Sequence, residues 1–218
     1  MIVIVANGDL TADAWLRPFL QQADTIIAVD GGLAHLDRLG VEPHYLIGDL
    51  DSLTAEQKTA VSASTIQQIT YPAHKDETDL ELALCYACQQ FPDEEILLVG
   101  VLGGRLDHLL ANLFLLTHPD LQACPIKIQT AHQQAWLLTP ETSPTHIQGQ
   151  VGDLVSLLPL GGDVTVAHTT GLEWPLHEEK LAFGPARGVS NRLTAVSATI
   201  TISQGYLLIV HTDKAWGR

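Results

Sequence analysis

Aspartate recurs wherever a short apolar run in this sequence gives way to a polar turn. Asp9 follows Ile2–Ala6 in Asn7-Gly8-Asp9, and Asp30 closes Thr25–Val29 and opens Asp30-Gly31-Gly32. Asp49 and Asp51 follow His44–Gly48 in Gly48-Asp49-Leu50-Asp51-Ser52. Further on come Lys75-Asp76-Glu77-Thr78-Asp79 and Gly103-Gly104-Arg105-Leu106-Asp107. A single aspartate in such a loop is ordinary, because Asp favours turns and helix N-caps. Its return in loop after loop calls for a shared cause, and binding a divalent cation is the chemistry that would use it. Magnesium takes oxygen ligands, commonly one or two carboxylates, with waters and substrate phosphates completing the shell. In an extended segment Asp49 and Asp51 project to one side while Leu50 turns to the core. Asp76 and Asp79, three apart at a helix start, share a face, so Asp79 can complete a metal site with Asp49 and Asp51. The alternatives are a solvated turn at 49–51, an N-cap at Asp76 and a plain turn at Asn7-Gly8-Asp9.

Glycines and cations in the same loops point to phosphate. Gly31-Gly32 and Gly103-Gly104 each sit between a strand and a helix, where missing side chains let backbone N–H groups approach an anion. Arg105 offers a bidentate phosphate contact and Lys75 a second cation. The competing readings are tight connections for the glycines and surface charges for the cations. Neither a Walker A sequence nor a Gly-x-Gly-x-x-Gly fingerprint is present, which removes the standard P-loop and dinucleotide readings. Cys85-Tyr86-Ala87-Cys88 has a redox spacing but falls mid-helix in an apolar pattern and reads as core. The histidines show no metal-ligand spacing, and His108, beside the candidate site, reads as a helix-surface residue.

Ligands of open α/β sheets bind outside the carboxyl ends of the strands, and the elements here are arranged for that. Up to residue 139, Val/Ile/Leu-rich runs alternate with helical periodicity, the pattern of βαβ units and a mostly parallel sheet. The expected strands are Ile2–Ala6, Thr25–Val29, His44–Gly48, Thr65–Ile69 and Glu95–Val101, then Ile126–Thr130 and Ala135–Thr139. Pro140, Pro144 and Glu141-Thr142-Ser143 mark a change of regime. Beyond them come period-two segments at Asp153–Pro159, Asp163–His168 and Ala195–Ser203, then Tyr206–His211 after a Gln204-Gly205 turn. The reading is an α/β domain over 1–139 followed by a small all-β sandwich over 140–218.

Composition narrows the function further. The chain has 218 residues with 46% hydrophobic and 17% charged, enough for a sizeable core. A formal net charge of −14 argues against nucleic acid, whose binding rests on Lys and Arg neutralising phosphates. The same charge opposes a phosphate substrate unless divalent cations intervene: two unit charges about 6 Å apart repel by roughly 3 kcal/mol at an effective dielectric of about 20. The N-terminus lacks a basic region and cleavage site, and no apolar run nears the roughly 20 residues that span a bilayer. With three cysteines, a secreted disulfide framework is disfavoured. The expected setting is cytoplasmic, without a membrane partner.

In order along the chain, Gly48-Asp49-Leu50-Asp51-Ser52, Lys75-Asp76-Glu77-Thr78-Asp79 and Gly103-Gly104-Arg105-Leu106-Asp107-His108 resemble the thiamine pyrophosphokinase family. The likeness extends to Asp30-Gly31-Gly32, Gly171-Leu172-Glu173-Trp174-Pro175-Leu176 and Gly188-Val189-Ser190-Asn191. It implies a homodimer with thiamine near the dimer interface, and a reaction in which ATP and thiamine give AMP and thiamine diphosphate. By the same resemblance Asp49, Asp51 and Asp79 would hold magnesium, or manganese in its place. Lys75, Arg105 and Asp107 would meet the nucleotide phosphates or the reacting hydroxyl, with Asp30, Gly31, Asp76, Thr78 and Gly104 in the nucleotide site. Trp174, Ser190 and Asn191 would line the thiamine end. By the same resemblance Glu173 and Arg192 stand where similar sequences would carry a basic and an acidic residue respectively; if the two are neighbours, the pair is swapped. Two rivals remain: a pyrophosphokinase acting on another alcohol, such as a hydroxymethylpterin, and a nucleotide- or thiamine-binding regulatory module without turnover.

Overall fold

Residues 2–5 are apolar at every position, which suits a strand covered on both faces, and β1 (Ile2–Val5) is buried throughout. In the computed structural model, which describes residues 1–10, 13–71 and 76–216, β1 pairs in parallel with β2 (Thr25–Val29) on one side and β5 (Ile96–Val99) on the other. The parallel ladder continues from β2 to β3 (Tyr45–Gly48) and β4 (Gln67–Thr70), and from β5 to β6 (Ile126–Gln129). Parallel neighbours need crossover connections. These run through α1 (Arg17–Gln22), α2 (Leu33–Leu39), α3 (Ala55–Ala63), α4 (Asp79–Gln90) and α5 (Leu106–Leu115).

Local chemistry sets the helix ends. Thr54 caps α3 in a reciprocal capping box with Gln57, and Thr78 caps α4 by accepting the Glu81 N–H. Gly40 closes α2 in the left-handed conformation at φ 68°, where glycine carries no Cβ penalty. Val3, Val5, Ala28, Leu33, Leu36, Leu46 and Val99 share one buried cluster. Cys85, read together with Cys88 as core, is a half-buried free thiol, whereas Cys88 is joined by a disulfide to Cys124.

The chain divides into units Met1–Ala131 and His132–Arg218. The expected boundary after residue 139 is thus moved upstream, because β7 (Gln133–Leu138) pairs antiparallel with the late strand β12 (Ser197–Thr212). In the second unit, β9 (Leu154–Thr170) and β12 run antiparallel along nearly their whole lengths. The expected Gln204-Gly205 turn is instead an irregularity inside β12: the register shifts there, and Gly205 sits at φ 86° with its α-carbon against the Asp163 carbonyl. A bulge bends a strand rather than ending it. One half of the ladder adds β8 (Thr145–Gln148) and β10 (His177–Leu181); the other adds β7 and the short β11 (Asn191–Arg192). Val155, Leu157 and Ile209 from one half share a core with Val164, Val166 and Ile200 from the other, as in a two-layered β-sandwich. Among the described residues no helix is long and apolar enough to cross a membrane.

The tightest backbone approach in the first unit is testable. A Cβ on Gly32 would lie 2.0 Å from the Val5 carbonyl oxygen, so Gly32→Ala should destabilise by about 3 kcal/mol, the upper end of typical overpacking costs. Gly162, with nothing within 4 Å of an added Cβ, should accept alanine within about 0.5 kcal/mol; urea denaturation of both variants makes the comparison.

Candidate active site

Three of the acidic positions meet where β2 and β3 end. Asp30 leaves β2 at φ 47° and opens a single 3-10 turn, Asp30–Gly32. Gly48 closes β3 at φ 151°, and a Cβ there would stand 3.2 Å from the Asp30 Cβ. The chain then turns through Leu50 at φ 61°, whose side chain packs on the core. Asp49 and Asp51 are therefore brought together by a turn and not by an extended strand: the Asp51 N–H donates to Asp49 Oδ1 at 3.0 Å. The Ser52 hydroxyl donates to Asp30 Oδ1 at 2.6 Å. One oxygen each from Asp30, Asp49 and Asp51 lies within 4.8 Å of the others.

Like charges held so close disfavour full ionisation. The Asp51 carboxyl is pushed above its usual range, first by the Asp49 charge, then by its hydrogen bond with Asp49 and by a little desolvation, with Asp30 and Asp79 adding to it. Hard oxygen donors converging without a cationic side chain among them fit a divalent cation such as magnesium. Asp79 lies near enough to raise Asp51 but is outside the group of three, which Asp30 joins. Asp76 lies in a bend before the Thr78 cap, so the helix-face argument for Asp76 and Asp79 fails: only Asp79 is helical.

Beside the cluster opens a cleft of about 650 Å³ lined by Asn7, Gly8, Asp9, Asp30, Thr78, Asp79, Gly103, Gly104, Arg105 and His108, among others. Its rim is stitched by backbone: Gly8 N–H donates to the Gly100 carbonyl and Asp9 N–H to that of Leu102. From α2, Arg38 donates to the Leu10 carbonyl and a His35 ring nitrogen bonds that of Gly8. Gly31 lies against the Asn7 side chain. Gly103 and Gly104 take φ 92° and 67°, and the α-carbon of Gly103 abuts the Asp9 carboxylate. Arg105 precedes α5 and grips Asp107 in two bonds, Nε to Oδ1 at 3.1 Å and Nη2 to Oδ2 at 2.5 Å. That bidentate hold keeps the Asp107 carboxyl down at about 2. Lys75 lies outside the described residues.

The second unit carries a separate pocket of about 520 Å³ lined by Trp174, Pro175, Leu176, Ala186, Arg187, Gly188, Val189 and Asn191. Trp174 is 55% exposed, which rules out a core role. Buried Asn191 secures it: Oδ1 accepts the Trp174 N–H at 3.0 Å and Nδ2 donates to the Trp174 carbonyl at 2.7 Å. Asn191 thus spends its amide on Trp174. Ser190, exposed at φ 61°, donates its N–H to Ser156 Oγ. Glu173 and Arg192 are neighbours, with Arg192 Nε 3.8 Å from Glu173 Oε2. Sequence reasoning gave no role to Ser52, His35 or Arg38; the signal for Ser52 was its place next to Asp51.

The fold is an α/β unit followed by a β unit, each with a cleft of its own. Residues 16–128 match the family model described as "Thiamin pyrophosphokinase, catalytic domain", and residues 144–207 match "Thiamin pyrophosphokinase, vitamin B1 binding domain". The chain belongs to the thiamin pyrophosphokinase family. It is 28% identical over 211 residues to thiamine pyrophosphokinase of Bacillus subtilis, covering 97% of this chain and 98% of the relative. The crystal structure of the Bacillus subtilis enzyme superposes with a TM-score of 0.84, at 28% identity over 97% and 98% of the two chains. That of the Geobacillus thermodenitrificans thiamin pyrophosphokinase also gives 0.84, at 29% identity over 99% of each.

The two perturbed carboxylates should respond in opposite directions to loss of their neighbours. Asp49→Asn removes the charge that raises Asp51 and should lower its titration; Arg105→Ala removes the guanidinium and should raise Asp107 from about 2 toward the ordinary value near ~4. Carboxyl-carbon NMR titration of the wild type and both variants follows these shifts.

Proposed function

We propose that the strand-end carboxylates and Arg105 carry out the reaction of the family: the pyrophosphoryl group of ATP moves to the hydroxyl of thiamine, giving thiamine diphosphate and AMP. The observation that carries this reading is the meeting of Asp30, Asp49 and Asp51 within 4.8 Å beside a glycine-rich cleft that contains Arg105 and Asp79. A mere anion binder gains nothing from so many carboxylates, which disfavours the regulatory module. Asp49 and Asp51, with Asp30 and with Asp79 close by, are the residues that would hold magnesium, or manganese. When bound, that ion neutralises phosphate charge and helps fix the phosphates for in-line displacement.

The remaining work falls to the chain. Gly104, with nothing within 4 Å of an added Cβ, leaves room for backbone to approach phosphate, and Thr78 lines the same cleft; Gly31, Asp76 and Lys75 belong to the nucleotide site in this reading. Arg105 exchanges its Asp107 partner for phosphate oxygens, a bidentate contact of the same geometry. The thiamine hydroxyl oxygen forms a bond to the β-phosphorus; the bond from that phosphorus to the bridging oxygen of AMP breaks, and AMP departs. Positioning and charge stabilisation dominate such transfers. The hydroxyl proton passes to a carboxylate. Asp107 is a poor acceptor while Arg105 holds it near 2, and becomes a better one once Arg105 turns to phosphate; Asp79 is the other candidate.

Thiamine is cationic and aromatic. The exposed face of Trp174 offers stacking and cation–π attraction worth roughly 0.5–2 kcal/mol. Asn191 and Ser190 shape the pocket around it. A homodimer accompanies this reading, supported by Leu106, Leu110 and Phe114, which α5 leaves 71%, 40% and 53% exposed.

The test is AMP formation from ATP and magnesium with and without thiamine, with mass detection of the second product. Thiamine-dependent AMP together with thiamine diphosphate is expected, and Asp51→Asn should lower turnover by at least about 100-fold, as loss of a group that stabilises transferring phosphate does. Trp174→Ala should raise the KM for thiamine several-fold with little change for ATP. AMP release only with another alcohol would favour the rival pyrophosphokinase, and no AMP under any condition the binding module.

A further inference from the structure

Ser52 belongs to the turn after β3 but bonds to the residue that ends β2. Its hydroxyl donates to Asp30 Oδ1 at 2.6 Å, linking positions 22 apart in sequence. A hydroxyl–carboxylate bond of that length is charge-assisted and about twice as strong as a neutral one. Asp49 has an equivalent restraint, since its Oδ1 takes the Asp51 N–H at 3.0 Å. In Asp30 and Asp49 alike, one carboxylate oxygen is engaged by a donor of the protein.

The restraint matters most for Asp30. Its backbone is fixed by φ 47° and by the close approach of Gly48, yet neither feature decides where the carboxylate points. Repulsion from Asp49 and Asp51 would rotate it away. The Ser52 hydroxyl opposes that rotation, and because Ser52 follows Asp51 directly, it ties Asp30 to the turn that carries the other two carboxylates. We infer that Ser52 is a positioning residue, holding the Asp30 carboxylate in register with Asp49 and Asp51 for a divalent cation. This role rests on the reading that those carboxylates take magnesium.

The test uses Mn²⁺ as the probe, followed by the electron paramagnetic resonance of the free ion, in the presence of α,β-methylene-ATP. Wild type, Ser52→Ala, Ser52→Thr and Asp51→Asn are titrated, and their melting temperatures recorded. Ser52→Ala should weaken Mn²⁺ binding about tenfold or more, the usual effect of losing a group that orients a metal ligand, while Ser52→Thr, which keeps the hydroxyl, stays within about threefold of wild type. The melting temperatures of the two serine variants should match that of the wild type, because the side chain is exposed. Wild-type Mn²⁺ affinity in Ser52→Ala, or equal losses in Ser52→Ala and Ser52→Thr, would overturn the role of Ser52 alone. If Asp51→Asn binds Mn²⁺ as wild type does, the metal reading fails, and the Ser52 role with it.

Discussion

Carboxylates repel one another, and this chain gathers three of them at one end of its parallel sheet while carrying a formal net charge of −14. Repulsion would drive Asp30, Asp49 and Asp51 apart unless the chain placed them together. The backbone does so: Asp30 and Leu50 occupy left-handed conformations, Gly48 leaves space for Asp30, and Gly32 lets the turn after β2 settle on the Val5 carbonyl. Backbone strain of this kind persists only where the surrounding structure over-determines it. Here the surroundings are the buried β1, β2 and β3. The raised Asp51 carboxyl is the electrostatic trace of the crowding, and a bound cation would relieve it.

The two units carry different side chains around their clefts. The first presents carboxylates, glycine backbone and Arg105 around one cleft, suited to phosphates accompanied by cations. The second offers an exposed Trp174 in a pocket it lines together with Pro175, Leu176, Val189 and Arg187. In each, a polar side chain is spent on holding a neighbour: Ser52 on Asp30, and Asn191 on the Trp174 backbone.

The strand ends were legible in the sequence because apolar runs stop where polar residues begin, and Thr25–Val29 is a strand at the bounds expected of it. The late strands were less so. Gln204-Gly205 has the composition of a turn, yet the ladder continues past it with a shifted register, and period-two alternation does not distinguish a bulge from a break. At the site, five-loop recurrence singled out the acidic positions, but spacing did not show that Asp30 would meet Asp49 and Asp51. Asp30 reaches the cluster through a positive φ and a bond from a hydroxyl 22 residues away, neither of which leaves a local pattern. The exposure of Trp174 depends likewise on tertiary packing.

Anomalous diffraction from crystals grown with Mn²⁺, α,β-methylene-ATP and thiamine tests the central claim most directly. The account predicts a manganese peak bonded to carboxylate oxygens of Asp30, Asp49 or Asp51 at about 2.2 Å, close to the distance expected for magnesium, with phosphate oxygens on its other side. Manganese bound only to the nucleotide, or an absence of any peak between the ends of β2 and β3, would contradict it.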